Sequence, residues 1–501
     1  MDEKGFAARL KQAMKDNGLK QVDIIRMAAE RDVKLGKSHI SQYVSGKTVP
    51  REAVMNVLAD ILQVEPSWLK DGAGQPAAAD QTGTSPKNKQ KADGNMERRE
   101  FTKSHKLDNV LYDVRGPVVA AAAQMEKNGT HVLKLNIGNP APFGFRTPDE
   151  VVYDMSSQLK DCEGYSNSKG LFSARKAIMQ YAQTKNIPNV DVDSIYTGNG
   201  VSELINLSMS ALLDIGDEVL VPSPDYPLWT ACVTLAGGTA VHYVCDESSD
   251  WDPDMEDIRR KITPRTKAIV IINPNTPTGA LYSREVLQQI VDIAREHQLM
   301  IFSDEIYDRL VMDGLEHVSS ASMAPDLFCV TFSGLSKSHM IAGYRIGWMI
   351  LSGNKRIAKD YIEGLDMLSN MRLCSNVPAQ SIVQTALGGH QSVKDYIVPG
   401  GRVYEQREFV YNALNSIPGV SAVKPKAAFY IFPKLDVERF NIKDDEQFAY
   451  DLLNDKKLLI VQGSGFNWGA PDHFRVVYLP RIEVLADAMN KLEDFLKYYR
   501  Q

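Results

Sequence analysis

Lys337 and Arg345 lie in the segment SGLSKSHMIAGYRIGW (333–348) and could together bind a phosphorylated aldehyde. Lys337 follows FCVTFSG (328–334), an apolar run typical of a buried strand, and Arg345 comes eight residues later. A desolvated lysine near other cations loses its proton easily and can bond to an aldehyde. Arginine binds a phosphate dianion through paired hydrogen bonds. Most loop lysines are only surface residues, but this pair fits pyridoxal phosphate, which we expect as the cofactor.

Asp304 and Tyr307 follow the next apolar run upstream, LMIFSDE (299–305). A carboxylate facing a pyridine nitrogen keeps the ring protonated and able to accept electrons, and a tyrosine can hydrogen-bond the ring hydroxyl. An aspartate at a strand end is also a common helix cap, and for Asp304 alone that alternative stays open. Considered together with Lys337, Asp304 and Tyr307 are candidate catalytic and cofactor-binding residues.

Two further segments offer contacts to a phosphate and to a planar ring. YTGNGVSEL (196–204) is typical of a strand, a turn and a helix start, where backbone N–H groups can bind a phosphate. The candidates in this turn are Gly200, Val201 and Ser202. Tyr226, in PDYPLW (224–229), could lie flat on the ring or simply pack beneath its loop.

The elements that position these residues are short apolar runs alternating with helical stretches. This alternation predicts an α/β fold with a mostly parallel sheet covered by helices. In such sheets ligands bind beyond the carboxyl ends of the strands. The predicted strands are 218–224, 268–274, 299–305, 328–334 and 459–463.

From about Lys106 to its C-terminus the sequence resembles the class I (fold type I) pyridoxal-phosphate aminotransferases. The family's Asn-Pro-x-x-Pro-Thr-Gly motif is found at 273–279, in order with the motifs around Asp304, Lys337 and Arg475. The resemblance implies a parallel sheet flanked by helices and a smaller α+β C-terminal domain. The implied boundaries are 107–145 for an N-terminal arm, 146–375 for the large cofactor domain and 376–501 for the small domain.

The resemblance also implies roles for Arg475, Gly138, Tyr165 and Thr276. Arg475 is expected to bind the substrate α-carboxylate, and Gly138 to lie on a loop that closes over the substrate. Tyr165 is expected to reach the cofactor phosphate of a neighbouring subunit, which implies a homodimer. Thr276 takes the place where the family usually has asparagine, and we expect its hydroxyl to contact cofactor and substrate. Two alternatives stay open: Asn275 shifts into this role, or catalysis is weakened.

Within this family the sequence is most similar to the alanine (glutamate–pyruvate) aminotransferases. The similar segments are YDVRGPV (112–118), LKLNIGNPAPFGF (133–145) and YIEGLDMLSNMRLCSNVPAQ (361–380). The resemblance implies reversible, ping-pong transamination of L-alanine with 2-oxoglutarate to pyruvate and L-glutamate. A neighbouring specificity, such as valine or aromatic amino acids, stays open because the shape of the pocket decides it. Arg115 is a candidate for binding the distal carboxylate of glutamate.

Residues 1–71 show about five short amphipathic helical patterns and resemble the helix-turn-helix domain of Cro-type (XRE-like) phage repressors. The resemblance implies that a recognition helix starts near Lys37 and offers DNA-binding residues to the major groove. These candidates are Lys37, Ser38, His39, Ser41 and Gln42. A small helical bundle can instead serve protein interaction or dimerisation. If residues 1–71 bind DNA, the alternative to an enzyme is a transcriptional regulator whose aminotransferase-like body senses an amino acid without turnover.

Composition separates the two parts of the chain. Residues 72–106 are rich in Gly, Pro, Ala, Ser and Lys and predict a flexible linker. The first 106 residues carry a charge of +5 and the remainder −11, within a total of −6. The five cysteines are scattered without a metal-site spacing, which predicts reduced thiols and no metal. No apolar run has the length of a membrane span, so we expect a cytoplasmic protein.

Overall fold

The computed structural model describes residues 3–29, 31, 33, 35–72, 101–107, 110, 112 and 116–501. The chain divides into two compact units, Met1–Glu100 and Phe101–Gln501. Most of the predicted linker and the candidate Arg115 lie outside the described residues.

The described residues of the first unit form five helices around an apolar core. Its helices are α1 (Glu3–Asp16), α2 (Gln21–Ala29), α3 (Lys37–Ser45), α4 (Glu52–Ile61) and α5 (Pro66–Asp71). Phe6, Leu10, Ile40 and Leu58 are fully buried in this core. The Arg9 side chain joins α1 to α5, because its Nη2 atom donates to the Lys70 carbonyl oxygen at 2.8 Å. These helices have the number and order that the apolar spacing predicts.

The second unit contains the remaining helices and strands. Its helices are α6 (Pro117–Lys127), α7 (Asp149–Gln158), α8 (Phe172–Thr184), α9 (Val201–Leu212), α10 (Leu228–Leu235), α11 (Met255–Lys261), α12 (Arg284–Glu296), α13 (Leu335–Ser338), α14 (Lys359–Met371), α15 (Val377–Ser381), α16 (Val383–Gly388), α17 (Val393–Tyr396), α18 (Arg402–Ser416), α19 (Val437–Phe440), α20 (Asp445–Lys456) and α21 (Ile482–Tyr498). Its strands are β1 (Leu133–Lys134), β2 (Ile195–Gly198), β3 (Glu218–Ser223), β4 (Thr239–Asp246), β5 (Asp252–Pro253), β6 (Thr266–Ile272), β7 (Met300–Asp304), β8 (Phe328–Gly334), β9 (Gly347–Gly353), β10 (Val420–Ser421), β11 (Tyr430–Ile431), β12 (Lys434–Leu435), β13 (Leu458–Leu459), β14 (Val461–Gln462) and β15 (Phe474–Val477).

Eight strands form one large mixed sheet in the order β2-β9-β8-β7-β6-β3-β4-β5. The central strands β8, β7, β6, β3 and β4 run parallel, whereas β2, β9 and β5 pair antiparallel with their neighbours. Alternate residues of β6, such as Ile269 and Val270, enter separate apolar clusters. Because both faces are buried, the strands are continuously apolar. The predicted α/β fold with a mostly parallel sheet is confirmed.

One of the five predicted strands is wrong in its extent and its partners. The run 459–463 forms no strand of the large sheet and is divided between β13 and β14. Strand β13 pairs parallel with β1, and β14 pairs antiparallel with β15. An apolar run predicts burial but not the strand with which it pairs. Here the two parts of the run pair with two different short strands. No helix among the described residues is long and apolar enough to cross a membrane.

Candidate active site

Nine of the residues singled out from the sequence line one cavity of the second unit. They are Val201, Ser202, Tyr226, Thr276, Asp304, Tyr307, Lys337, Arg345 and Arg475. Parallel pairing explains much of this convergence, because Ile272 at the end of β6 lies opposite Asp304 at the end of β7. Lys337 follows the adjacent strand β8 within the short helix α13. The carboxyl ends of three neighbouring strands therefore meet at the cavity, as expected for this kind of sheet.

Lys337 contacts the segment that precedes the large sheet. Its Nζ atom donates a hydrogen bond to the Gly138 carbonyl oxygen at 2.8 Å. The same ammonium group lies 6.0 Å from the centroid of the Tyr307 ring and 5.7 Å from that of Phe429. These contacts fix the Lys337 amine at the cavity, between a carbonyl oxygen and two aromatic rings.

Asp304 is a buried carboxylate with two neutral donors. Trp229 donates its Nε1 proton to Oδ2 at 3.1 Å, and the Ile306 amide donates to Oδ1 at 3.3 Å. Burial raises the pKa of Asp304 to about 6. A cationic group in the cavity would favour the ionised carboxylate, and the protonated ring nitrogen of pyridoxal phosphate is such a group.

Tyr307 and Thr276 bring hydroxyl groups to the same cavity. The Tyr307 hydroxyl lies 2.7 Å from the Tyr430 hydroxyl, and burial raises the pKa of Tyr307 well above its usual range. The Thr276 Oγ1 atom is buried and has no hydrogen-bond partner among the described residues. A buried polar atom without a partner is costly. It therefore fits a bound polar ligand such as the ring hydroxyl of the cofactor.

A turn and an arginine form one end of the cavity. Gly200 has φ of +82° and precedes α9, whose first residues are Val201 and Ser202. Arg345 donates from Nη2 to the Asn199 carbonyl oxygen at 3.1 Å and from Nη1 to the Ala342 carbonyl oxygen at 3.0 Å. Exposed helix N–H groups, a hydroxyl and a guanidinium fit a phosphate dianion.

Arg475 projects from β15 into the same cavity and is buried. Its Nη2 atom donates to the Asn136 carbonyl oxygen, and its guanidinium lies 4.4 Å from the Tyr430 ring centroid and 4.5 Å from that of Phe466. Burial lowers the pKa of Arg475. Its Nε atom has no hydrogen-bond partner among the described residues. The guanidinium thus retains an N–H group that could donate a hydrogen bond to a substrate carboxylate.

Three cavity contacts had no signal in the sequence. Tyr430 lines the cavity between Tyr307 and Arg475. Trp229 binds Asp304, and Tyr112 places its hydroxyl 3.1 Å from that of Tyr226. Each contact joins residues far apart in sequence, so spacing alone does not reveal it.

Tyr165 of the second unit and the DNA-binding candidates of the first unit belong to other surfaces. Tyr165 is 82% exposed, in a segment where Arg372 donates to the Ser168 carbonyl oxygen at 3.0 Å. On α3, the DNA-binding candidates Lys37, Ser38, His39, Ser41 and Gln42 are all exposed. His39 also accepts a long hydrogen bond of 3.4 Å at Nδ1 from the Gly36 amide. The functions of these residues stay predictions.

Most of the second unit is similar in sequence and in fold to known proteins. The family profile "Aminotransferase class I and II" matches residues 130–492. Glutamate-pyruvate aminotransferase AlaA of Escherichia coli (strain K12) is 59% identical over 399 residues, which cover 80% of this chain and 98% of that protein. Alanine aminotransferase of Mycobacterium bovis is 56% identical over 405 residues, covering 81% of this chain and 94% of that protein.

Solved structures show the same similarity. An aminotransferase from Escherichia coli superposes with a TM-score of 0.80 at 59% identity, covering 80% of this chain and all of that chain. Alanine aminotransferase from Pyrococcus furiosus superposes with a TM-score of 0.75 at 41% identity, covering 79% of this chain and all of that chain. The cavity residues fit the family's cofactor at its ring nitrogen, ring hydroxyl and phosphate. The chain therefore belongs to the class I and II aminotransferases and is an enzyme that uses pyridoxal phosphate.

Proposed function

We propose that the enzyme reversibly transfers the amino group of L-alanine to 2-oxoglutarate, giving pyruvate and L-glutamate. The observation that carries this proposal is the similarity to proteins named as glutamate-pyruvate and alanine aminotransferases, at 59% and 56% identity over nearly their whole lengths. The cavity supports it, because Lys337, Asp304, Tyr307 and Arg475 all line one space.

The proposed roles follow from the chemistry of these side chains. When bound, pyridoxal phosphate supplies an aldehyde carbon for the substrate amine and a ring that accepts electrons from the substrate α-carbon. Lys337 carries the α-proton on its Nζ atom as general base and then as general acid. Asp304 binds the ring nitrogen, and Tyr307 with Thr276 binds the ring hydroxyl. Arg475 orients the substrate through its carboxylate.

The two half-reactions share one site, so the scheme requires ping-pong kinetics. Initial rates measured with L-alanine at several fixed concentrations of 2-oxoglutarate should give parallel double-reciprocal lines. Intersecting lines would contradict the scheme. Cofactor binding and a spectral change with alanine, but without pyruvate formation, would instead support the regulator that senses an amino acid.

We propose that the enzyme is a homodimer in which Tyr165 reaches the cofactor phosphate of the other subunit. Four large apolar side chains near this segment are exposed: Tyr165 at 82%, Phe172 at 66%, Met371 at 78% and Leu373 at 52%. An apolar surface of this kind is typical of a subunit interface. Sedimentation should give the mass of a dimer, and Tyr165→Phe should weaken cofactor binding. A monomer with full activity would contradict the proposal.

We further propose that residues 1–71 form a helix-turn-helix DNA-binding domain joined through 72–106 to the aminotransferase at 107–501. The support is that the candidate residues of α3 are exposed while Ile40 on the same helix is buried. Seven residues, 30–36, lie between Ala29 at the end of α2 and Lys37 at the start of α3, which is longer than the family's short turn.

We also propose a cytoplasmic location, which is supported by the five cysteines, all of them free.

DNA binding is tested with the full chain and a random duplex library. Enrichment of a palindromic sequence, with binding lost in Gln42→Ala and weakened uniformly in Lys37→Ala, would fit base and phosphate contacts respectively. Failure to enrich any duplex would favour the protein-interaction alternative.

A further inference from the structure

Asp225 and Asn467 join two walls of the cavity. Asp225 follows β3 and directly precedes Tyr226, which lines the cavity. Asn467 directly follows Phe466, whose ring packs 4.5 Å from the Arg475 guanidinium. The Nδ2 atom of Asn467 donates a hydrogen bond to Oδ1 of Asp225 at 2.8 Å.

Two backbone contacts reinforce this link. The Asp225 amide donates to the Phe466 carbonyl oxygen at 3.0 Å. The Ser223 hydroxyl donates to the Asn467 carbonyl oxygen at 2.7 Å. The loop after β3 and the turn before β15 are therefore held together on both sides of the Asp225–Asn467 bond.

Asp225 also contacts the helix that holds Asp304. The Thr230 hydroxyl, on α10, donates to Oδ2 of Asp225 at 2.8 Å, and Asn467 lies within 3.3 Å of the same hydroxyl. Trp229, the neighbour of Thr230 on α10, donates to Asp304. His242 faces this cluster as well, with its Nε2 atom 2.9 Å from the Thr230 hydroxyl and 3.8 Å from Asp225.

Because Asp225 is buried, loss of these hydrogen bonds would cost free energy. The residue has no exposed surface, and a buried carboxylate is tolerated only when hydrogen-bond donors surround it. Asn467 has φ of +57°, in the left-handed region where asparagine is among the few tolerated residues. The side chain and the backbone of Asn467 thus both determine how the loop after β3 contacts the turn before β15.

We propose that Asp225 and Asn467 are positioning residues, whose hydrogen bond sets the distance between the Tyr226 wall and the Arg475 wall of the cavity. The inference rests on the proposed roles of Tyr226 at the cofactor ring and of Arg475 at the substrate carboxylate. Loss of the bond leaves the two walls joined by the contacts of the Phe466 and Asn467 carbonyl oxygens, so the distance between the walls is held less tightly. Both cofactor affinity and amino-acid affinity then fall, although neither residue contacts the reacting atoms.

The test compares Asn467→Gly with Asn441→Gly in the full-length chain. Glycine accepts a positive φ, so Asn467→Gly keeps the backbone conformation and removes only the amide donor. Asn441 is a matched control, because it also has positive φ, 53°, and its Nδ2 atom donates at 2.6 Å to Gln501. Equilibrium dialysis measures the Kd of pyridoxal phosphate, initial rates give the KM and kcat for L-alanine, and thermal melting gives Tm.

We expect Asn467→Gly to raise both the Kd of the cofactor and the KM of L-alanine about tenfold, as for loss of a donor to a buried charge. Asn441→Gly should change Tm without changing either constant. Asp225→Asn keeps an oxygen that accepts from Asn467, so it should stay within about threefold of the wild type, whereas Asp225→Ala should match Asn467→Gly. These variants separate positioning from general stability.

The proposal is overturned if Asn467→Gly lowers Tm as Asn441→Gly does while the Kd and KM stay at the wild-type values. It is also overturned if the effects of Asp225→Ala and Asn467→Gly add in the double variant, because two partners in one bond should show non-additive effects. If the wild type binds cofactor but does not turn over alanine, the proposed substrate fails, and the dialysis measurements still decide the positioning role.

Discussion

The carbonyl oxygen of Gly138 accepts a hydrogen bond from the Lys337 Nζ atom at 2.8 Å. Two residues earlier, the Asn136 carbonyl oxygen accepts one from Arg475. A single segment thus contacts both the proposed proton carrier and the proposed carboxylate-binding group. A displacement of this segment should therefore affect both groups, and with them the binding of a substrate.

The first prediction concerns the close packing of this segment. A Cβ atom at Gly138 would collide with the Tyr430 and Phe429 side chains. Gly138→Ala should therefore displace the segment from Lys337 and raise the KM of L-alanine about tenfold, with a smaller change in kcat. Gly388→Ala is the control, since a Cβ atom there meets nothing within 4 Å. Equal KM values in the two variants would contradict the role of the segment.

The second prediction concerns Thr276, whose Oγ1 atom has no hydrogen-bond partner among the described residues. Thr276→Val keeps the shape of the side chain and removes its hydroxyl. If that hydroxyl binds the ring hydroxyl of pyridoxal phosphate, the Kd of the cofactor should rise about tenfold. A Kd that is unchanged or lower would mean that the hydroxyl does not contact the cofactor.

The third prediction concerns Arg475 and the specificity of its contact. Lysine keeps the positive charge but cannot form the paired hydrogen bonds of a guanidinium. Arg475→Lys should raise the KM of L-alanine about a hundredfold, the cost of about two hydrogen bonds to a charged group. The Kd of pyridoxal phosphate should change little. An equal loss in both constants would show that Arg475 acts on the cofactor site as a whole.

The fourth prediction concerns the pH dependence of stability. Burial raises the pKa of Asp304 from 3.8 to about 6, so between these values this carboxyl group binds more protons in the cofactor-free folded protein than in the unfolded chain. Its contribution to stability should therefore fall as pH rises from about 4 to about 7, by on the order of 3 kcal/mol. The Asp304→Asn variant has no carboxyl group at this position and therefore lacks this pH-dependent contribution to stability.

Urea unfolding of the cofactor-free wild type and of Asp304→Asn at several pH values measures this difference directly. The wild type should lose stability relative to the variant as pH rises, because all other groups titrate alike in both proteins. A constant difference across the range would mean that burial does not raise the pKa of Asp304.

The sequence predicts the positions of Lys337 and Asp304 for a simple physical reason. Each follows an apolar run that must be buried, and neighbouring parallel strands bring their carboxyl ends to one edge. The same reasoning is wrong for 459–463, where two short strands pair outside the large sheet. Burial can be predicted from composition, but pairing depends on surfaces that only the folded chain assembles.

The contacts of Trp229 and Tyr430 lie beyond sequence prediction. Trp229 belongs to α10 and reaches Asp304 at the end of β7, and Tyr430 on β11 lies between Tyr307 and Arg475. Such contacts arise from the packing of helices and of the C-terminal strands onto the sheet edge. The aromatic residues carry no spacing signal of their own, because an aromatic side chain is equally suited to an apolar core.

The most direct test of the account measures pyruvate formed from L-alanine and 2-oxoglutarate by the full-length protein with pyridoxal phosphate. Lys337→Ala should lower kcat at least about a thousandfold, because it removes the group that we propose carries the α-proton. Lys359→Ala, at an exposed position on α14, should retain full activity. Pyruvate formation that survives in Lys337→Ala, or that is absent from the wild type, would contradict the central claim.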